Sequence, residues 1–285
     1  MYIENSYSLL HKVDAQNPVL ADAQAVIQQW HGKRIRRIDR YIQLCVAGGL
    51  ACAGERKLPS NTGVYLSTRC GAVSTSSQVM HTIESENELP KPLHFVNTLG
   101  NSAGFYLTQL LQLTGTALVL SKETLSFEAA LLHAMMDINS GLCDYALVGT
   151  FDEVALPVDH QLQRLNAAPN APHLFEGTHW LLLSKSATNT AIGSPVYARS
   201  PSELLQKIKW QGSDVQLGFE PCEEERHQLE GQTIEVFQNE ALAAGTVPHG
   251  AFGAASLLDA AGKNTPLLHI NRTEPNHYCG VAINA

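Results

Sequence analysis

The amino-acid sequence predicts an α/β protein built from two related halves. Its 285 residues are too many for one average domain and too few for two. Apolar stretches of strand length, such as 144–151 (DYALVGTF), alternate with longer stretches whose apolar residues have helical spacing, such as 124–140. Alternating strands and helices are typical of α/β folds.

The first part of the chain contains most of the predicted elements. Alternation over 1–10 predicts a strand, and the apolar spacing over 37–55 predicts a buried helix. The next predicted elements are a strand at 63–68, a helix through 78–83, a proline-punctuated link at 88–104 and a helix at 103–113.

The segment after this helix is predicted to form the centre of the fold. The stretch 116–121 (TALVLS) predicts a strand, and 124–140 is apolar on nearly every side, which predicts a central helix. Gly141 is expected to end this helix. A loop at 166–172 and a buried strand at 179–186 follow, and weaker patterns up to Ala285 predict an abbreviated second half.

Composition and charge exclude several classes of function. A net charge of -8 and a pI near 5.8 give no electrostatic reason to bind nucleic acid or an anionic bilayer. No apolar run approaches the length of about 18 residues that a membrane span needs. We therefore expect a cytoplasmic protein without membrane insertion. A charged fraction of only 16% favours a surface that is covered by a partner.

The cysteines and histidines show no metal or disulfide pattern. The six cysteines have no CxxC spacing, and we expect most of them to be reduced and buried. The twelve histidines contain no HExxH motif. The sequence predicts neither a metal site nor a cofactor.

Two segments near the N-terminus, Arg37–Tyr41 (RIDRY) and 62–71 (TGVYLSTRCG), carry motifs in a recognisable order. The first is similar to the R-M-D-R-F motif of the β-ketoacyl synthases, and the second is similar to the strand and turn that follow this motif. That family has the thiolase fold. The segments 92–115, 144–153 (DYALVGTFDE), 250–260 and 276–285 resemble further family motifs. The resemblance implies a layered α/β/α/β/α fold with an N-terminal half at 1–190 and an abbreviated C-terminal half at 191–285.

The catalytic residues of the family do not match. The family's nucleophilic cysteine begins the central helix, where the helix dipole favours a thiolate, and Thr124 occupies that position here. We expect Thr124 to act as an N-cap. The segment 213–226 contains glutamates where the first family histidine is expected, and that negative charge would oppose an enolate. Val247 matches the second histidine, although a register shift would bring in His249.

The resemblance therefore implies a pseudoenzyme, because nucleophile and histidines act as one unit. The chain resembles the chain length factors of type II polyketide systems, and the aryl polyene systems are the nearest type. Such a protein pairs with an active β-ketoacyl synthase, shapes its acyl tunnel and meets an acyl carrier protein. The candidate residues for the interface and the tunnel are Met80, Phe95, Asn97, Leu99, Phe105, Thr116, Leu118 and Leu120. Each of the first five is equally compatible with ordinary core packing.

Two alternatives remain open from the sequence. One is a divergent condensing or acyltransfer enzyme that acts on acyl thioesters and uses Thr124, Ser126 or a cysteine from elsewhere in the chain, such as Cys70, as its nucleophile. The other is an acyl-binding module that forms a homodimer.

Overall fold

The computed structural model describes residues 1–164, 173–186, 190–237, 252–263, 265–274 and 276–284. The strands in these residues are β1 (Tyr2–Asp14), β2 (Gly63–Ser67), β3 (Ala117–Leu120), β4 (Tyr145–Asp152), β5 (His173–Ser184), β6 (Val196–Ala198), β7 (Asp214–Leu217), β8 (Thr233–Val236), β9 (Leu267–Glu274) and β10 (His277–Ile283). The helices are α1 (Ala23–His31), α2 (Arg40–Ala53), α3 (Val73–Glu84), α4 (Pro92–Asn97), α5 (Asn101–Leu111), α6 (Ser126–Ser140), α7 (Val158–Arg164), α8 (Pro201–Ile208), α9 (Glu223–Gln228) and α10 (Phe252–Gly262).

The strands of the described residues form two sheets with the same topology. The first sheet has the order β1-β5-β4-β2-β3, and the second has the order β6-β10-β9-β7-β8. In each sheet two antiparallel pairings are followed by two parallel pairings. The two related halves predicted from the sequence are therefore confirmed. The boundary between residues 190 and 191 stays a prediction.

The sheets lie between layers of helices. Helix α2 packs against β1, β4 and β5 on the outer face of the first sheet. Helix α6 packs against β2, β3 and β4, and α10 contacts β9 of the second sheet as well as β1, β5 and α6. Helix α8 packs against β6 and β10. This order of layers matches the predicted α/β/α/β/α architecture.

Close approach between α2 and the first sheet depends on small residues. Trp180 of β5 is fully buried in the core cluster on this face. A Cβ at Gly48 of α2 would lie 2.2 Å from Trp180 Nε1, and one at Gly149 of β4 would lie 2.3 Å from Trp180 Cδ2. Glycine at both positions therefore makes room for the indole ring.

The central helix begins and ends close to the predicted residues. Gly141 ends α6 with φ of 80°, a left-handed conformation that glycine adopts without strain. Eight of its residues are buried, from Ser126 to Ile138. Helix α6 is therefore held between the two halves, as a central helix should be.

The sequence prediction was wrong or incomplete at several elements. The link predicted at 88–104 contains α4 and the first residues of α5, because Pro92 can begin a helix in its first turn. Helices α1 and α7 were missed, and β1 and β5 are longer than predicted. The loop predicted at 166–172 lies outside the described residues. No helix in the described part of the chain is long and apolar enough to cross a membrane.

Candidate functional site: a closed nucleophile position and an exposed apolar face

Thr124, which the sequence predicts to occupy the family's nucleophile position, lies in the turn between β3 and α6, at the carboxyl end of the parallel strands. We call this turn the nucleophile position. Glu123 in this turn has φ of 48°, a left-handed conformation that a non-glycine residue adopts only under strain. Ser126 Oγ donates to the carbonyl oxygen of Thr68 (3.2 Å), which directly follows β2. The turn therefore sits at the edge of the sheet where α/β proteins usually bind ligands.

Thr124 in this turn is bound to the other half of the protein. Its hydroxyl donates to the carbonyl oxygen of Arg272 in β9 (2.6 Å), and its own carbonyl accepts from Asn271 Nδ2 (3.2 Å). The N-cap of α6 is Leu125, which makes no side-chain capping bond. The prediction that Thr124 is the N-cap is therefore wrong: its hydroxyl joins the two halves instead.

Ser126, the second candidate nucleophile, has no activating base among its hydrogen-bond partners in the described residues. Ser126 is 1% exposed, and its hydroxyl accepts from Lys122 N and donates to backbone carbonyls. Cys70 lies in the turn between β2 and α3, where its N–H donates to Asp152. No hydrogen bond among the described residues joins Thr124 or Ser126 to an imidazole or a carboxylate. A hydroxyl without such a partner is a poor nucleophile.

Two of the four glutamates of segment 213–226 form ion pairs with arginines, which reduces the expected negative charge. Glu225 forms an ion pair with Arg272 and accepts from the hydroxyl of Tyr278 (2.6 Å). Glu220 forms an ion pair with Arg226 at 2.8 Å. The expected excess of negative charge at these two carboxylates is therefore largely cancelled. The Arg272 guanidinium also lies over the ring of Phe219, with its Cζ 4.5 Å from the ring centroid.

This pairing determines the pKa of Glu225. Burial alone would raise it, but hydrogen bonds from Tyr278 and the Cys222 N–H, together with the charge of Arg272, hold the pKa below its ordinary value. Burial and the bond to Glu225 raise the pKa of Tyr278 to about 12. Glu225 is thus an ionised group that fixes Arg272, whose carbonyl in turn holds Thr124.

The histidines do not supply the missing base in the described residues. Val247 and His249, the two positions considered for the second family histidine, lie outside the described residues. His269 of β9 is fully buried, and its Nε2 lies 3.0 Å from Ser256 Oγ. Burial lowers the pKa of His269 to about 3, so its imidazole is neutral at physiological pH. Nothing in the sequence pattern distinguished His269 from the other histidines.

Sequence analysis also missed a buried glutamate in the first turn of α6. Glu128 is completely buried, and its Oε1 accepts from Asn271 Nδ2 at 3.0 Å. Burial raises the pKa of Glu128 to about 7. The available signal was a single glutamate inside an otherwise apolar helix segment, Ser126–Leu131 (SFEAAL).

A second feature is an exposed apolar face beside the nucleophile position. Eight of the 13 large apolar side chains exposed among the described residues lie between 80 and 105. Four of them are predicted interface residues: Met80 (49% exposed), Phe95 (58%), Leu99 (51%) and Phe105 (61%). These side chains are not core residues. Asn97, the fifth of the residues predicted for this interface, is in contrast only 4% exposed.

Strand β3 extends this face, because it is the last strand of the first sheet. Thr116 is exposed, and Leu118 and Leu120 are half-buried. Helix α5 packs against β3, and α3 packs against α4. No Asp, Glu, Lys or Arg occurs from residue 92 to 121, a run of 30 residues that forms α4, α5 and β3. We call Met80, Phe95, Leu99, Phe105 and β3 the partner face.

Solved structures with this architecture include ketosynthases. The ishigamide ketosynthase/chain length factor matches with a TM-score of 0.72 and 15% identity, over 99% of this chain and 98% of that chain. A second match is AntDE:AntF, a type II polyketide acyl carrier protein in complex with its ketosynthase bound to the hexaketide. It has a TM-score of 0.68 and 14% identity, over 100% of this chain and 99% of that chain. A β-ketoacyl synthase from Burkholderia phymatum STM815 matches with a TM-score of 0.66 and 11% identity, over 99% of this chain and 98% of that chain.

This chain has the β-ketoacyl synthase fold. No protein-family model and no curated protein matches its sequence. Thr124, the predicted counterpart of the family's cysteine, is bound by the Arg272 carbonyl and the Asn271 side-chain amide of the second half.

We predict that Thr124 contributes to stability through its hydroxyl. Thr124→Val keeps the side-chain shape but removes the donor to the Arg272 carbonyl, so the free energy of unfolding should fall by about 1 kcal/mol. Denaturant unfolding at neutral pH measures this change. Thr124→Ser retains the hydroxyl and is the matched control. Equal stability of the Val variant and the wild type would contradict this role.

Proposed function

We propose that this chain is the non-catalytic chain length factor of a polyketide or polyene synthase in the cytoplasm. It pairs with an active β-ketoacyl synthase and shapes the end of the acyl tunnel that starts in that partner. The observation that carries the proposal is the engagement of Thr124 by Arg272 and Asn271, in a turn where a ketosynthase needs a free nucleophile. The aryl polyene assignment stays a prediction.

The partner face supports a heterodimer. Exposed large apolar side chains that cluster on one surface are typical of protein interfaces. An unpaired edge strand also needs a cover, since its free N–H and C=O groups invite pairing with another strand. We infer that β3 pairs with a strand of the ketosynthase and that Phe95 and Phe105 contact that partner.

The alternatives have less support. An enzyme that uses Thr124, Ser126 or Cys70 requires a base, and the described surroundings of Thr124 and Ser126 contain only backbone and amide partners. A homodimer would use the same face. Its formation would therefore compete with the heterodimer.

We predict that Phe105→Asp abolishes pairing with the ketosynthase. Phe105 is 61% exposed, and burying an aspartate against an apolar partner costs more than the roughly 2 kcal/mol of losing an aromatic hot spot. Coexpression with the ketosynthase encoded nearby, followed by size-exclusion chromatography and measurement of stoichiometry, tests this. The wild type should elute as a one-to-one complex.

Leu142→Asp is the matched control, because Leu142 is 65% exposed but lies outside the partner face. It should leave the complex intact. If Phe105→Asp pairs as tightly as the wild type, the ketosynthase does not bind at the partner face. A wild-type chain that stays a homodimer in the presence of every coexpressed ketosynthase would contradict the proposed function itself.

The loop between α1 and α2 supports the proposed acyl carrier protein partner. Lys33, Arg34, Arg36 and Arg37 are exposed on a protein whose net charge is -8. None of the four forms an ion pair with a carboxylate in the described part of the chain. Four cations close together that form no ion pair in the described residues favour an acidic protein surface as partner.

This basic loop is held in place and lies at the same edge of the sheet as the nucleophile position. Gln24 holds it from α1, since its Nε2 donates to the Ile35 carbonyl (2.9 Å) and its Oε1 accepts from the Ile35 N–H (3.2 Å). Asp39 directly after the loop accepts from Thr75 Oγ1 (2.6 Å), at the start of α3. A carrier protein docked here would approach the edge where the chain's central helix begins.

We predict that reversing charge in the basic loop weakens carrier binding at least tenfold. The triple variant K33E/R36E/R37E should bind a fluorescent acyl carrier protein less tightly in the ketosynthase complex, and the wild-type affinity should fall with salt. Fluorescence anisotropy measures both effects. The control K57E/K185E/K209E changes net charge equally at exposed lysines elsewhere. Equal carrier affinity of the two triple variants would remove the basic loop from the docking site.

A further inference from the structure

The first turn of α6 places a buried carboxyl group at the junction of the two halves. Glu128 is 0% exposed, and Asn271 of β9 donates to its Oε1 at 3.0 Å. Its Oε2 is also buried and has no hydrogen-bond partner among the described residues. One amide donor is far less than an ionised carboxylate needs when it is removed from water.

The titratable groups that face Glu128 come from three other elements. Lys122 precedes α6, Tyr197 lies on β6, and Cys279 lies on β10. The Lys122 ammonium is 3.9 Å from the centroid of the Tyr197 ring. Burial, followed by the charge of Glu128, raises the pKa of the Cys279 thiol well above its ordinary value. Lys122 is thus the one cation that acts on Glu128 in this set.

Lys122 does not make up for the burial of Glu128. Its side chain is exposed to solvent, which screens its charge, and its ammonium contacts an aromatic ring. The other two neighbours are a neutral phenol and a neutral thiol. The surroundings of Glu128 therefore favour the protonated carboxyl group, which carries no charge.

We propose that Glu128 and Asn271 form a proton-dependent latch between the two halves. When Glu128 is protonated, α6 is held against β9. When Glu128 ionises, a bare carboxylate oxygen remains in the interior, and the junction opens more often because opening gives that oxygen access to water.

The direction of the pH effect follows from the environment. Burial is the largest cause that raises the pKa of Glu128, and it moves it from an ordinary value of 4.5 to about 7. A raised pKa means that the folded state binds the proton more tightly than the unfolded state. The contribution of the latch is therefore complete below about pH 4.5 and is lost as the pH rises through about 7.

The latch controls access to the nucleophile position. Asn271 Nδ2 donates both to Glu128 and to the carbonyl of Thr124, and the neighbouring Arg272 carbonyl holds the Thr124 hydroxyl. Movement of β9 away from α6 would release all three bonds together. This inference does not rest on the proposed function, since it concerns contacts within the chain.

Hydrogen exchange of the full-length chain at about pH 6 and about pH 8 tests the latch. After correction for the intrinsic pH dependence of exchange, peptides covering 126–131 and 267–273 should exchange several-fold faster at the higher pH. Glu128→Gln should abolish this difference, because glutamine is a neutral isostere that can still accept from Asn271. Equal corrected exchange at both pH values in the wild type would overturn the proposal, even if the variant does not fold.

Glu153→Gln is the matched control. Glu153 is 2% exposed, its pKa is also raised to about 7, chiefly by burial, and it accepts from the Ser74 N–H within the first half. Its variant should keep the pH dependence at the junction. If Glu128→Gln also keeps this pH dependence, a group other than Glu128 causes it, and the latch is wrong. If both variants lose the pH dependence, a general loss of stability is responsible, and the latch is wrong as well.

Discussion

The contact between the start of α6 and β9 is the constraint on which the rest of this structure depends. Thr124 and Glu128 from one half meet Asn271 and Arg272 from the other through three hydrogen bonds. Buried polar groups of this kind are stabilising only while every partner is in place. The same contacts join the two halves and occupy the predicted nucleophile position.

The turn that holds Thr124 and the partner face are connected through strand β3. Strand β3 leads directly into the turn that holds Thr124, and α6 packs back against β3. In the proposed function, this fold forms a wall for the tunnel of a partner ketosynthase. The run from 92 to 121, which contains no Asp, Glu, Lys or Arg, is the proposed surface for that contact.

Much of the fold could be predicted from local patterns in the sequence. Strand β4 is almost uniformly apolar because it is buried on both faces, and Gly141 ends α6 because its backbone is left-handed. Short elements such as α4 lack a periodic pattern long enough to recognise. Pro92 was taken as a sign of a loop, although proline is also favoured in the first turn of a helix.

The chemistry of the site was harder to predict, because its partners are distant in sequence. Thr124 and Arg272 are 148 residues apart, so no local spacing distinguishes a hydroxyl that caps a helix from one that joins two halves. The pairing of Glu225 with Arg272, 47 residues away, likewise changed an expected excess of negative charge into a neutral ion pair. The loss of the nucleophile stays a prediction from the identity of the residue at 124, and the partner of the Thr124 hydroxyl was visible only in the fold.

The proposed role requires that this chain accepts no acyl group of its own. The intact mass of each subunit, after the purified complex is incubated with an acyl carrier protein thioester, measures this directly. We expect an acyl adduct on the ketosynthase and an unchanged mass for this chain. A stoichiometric adduct on this chain, located at residue 124, 126 or 70, would show that it is an enzyme after all.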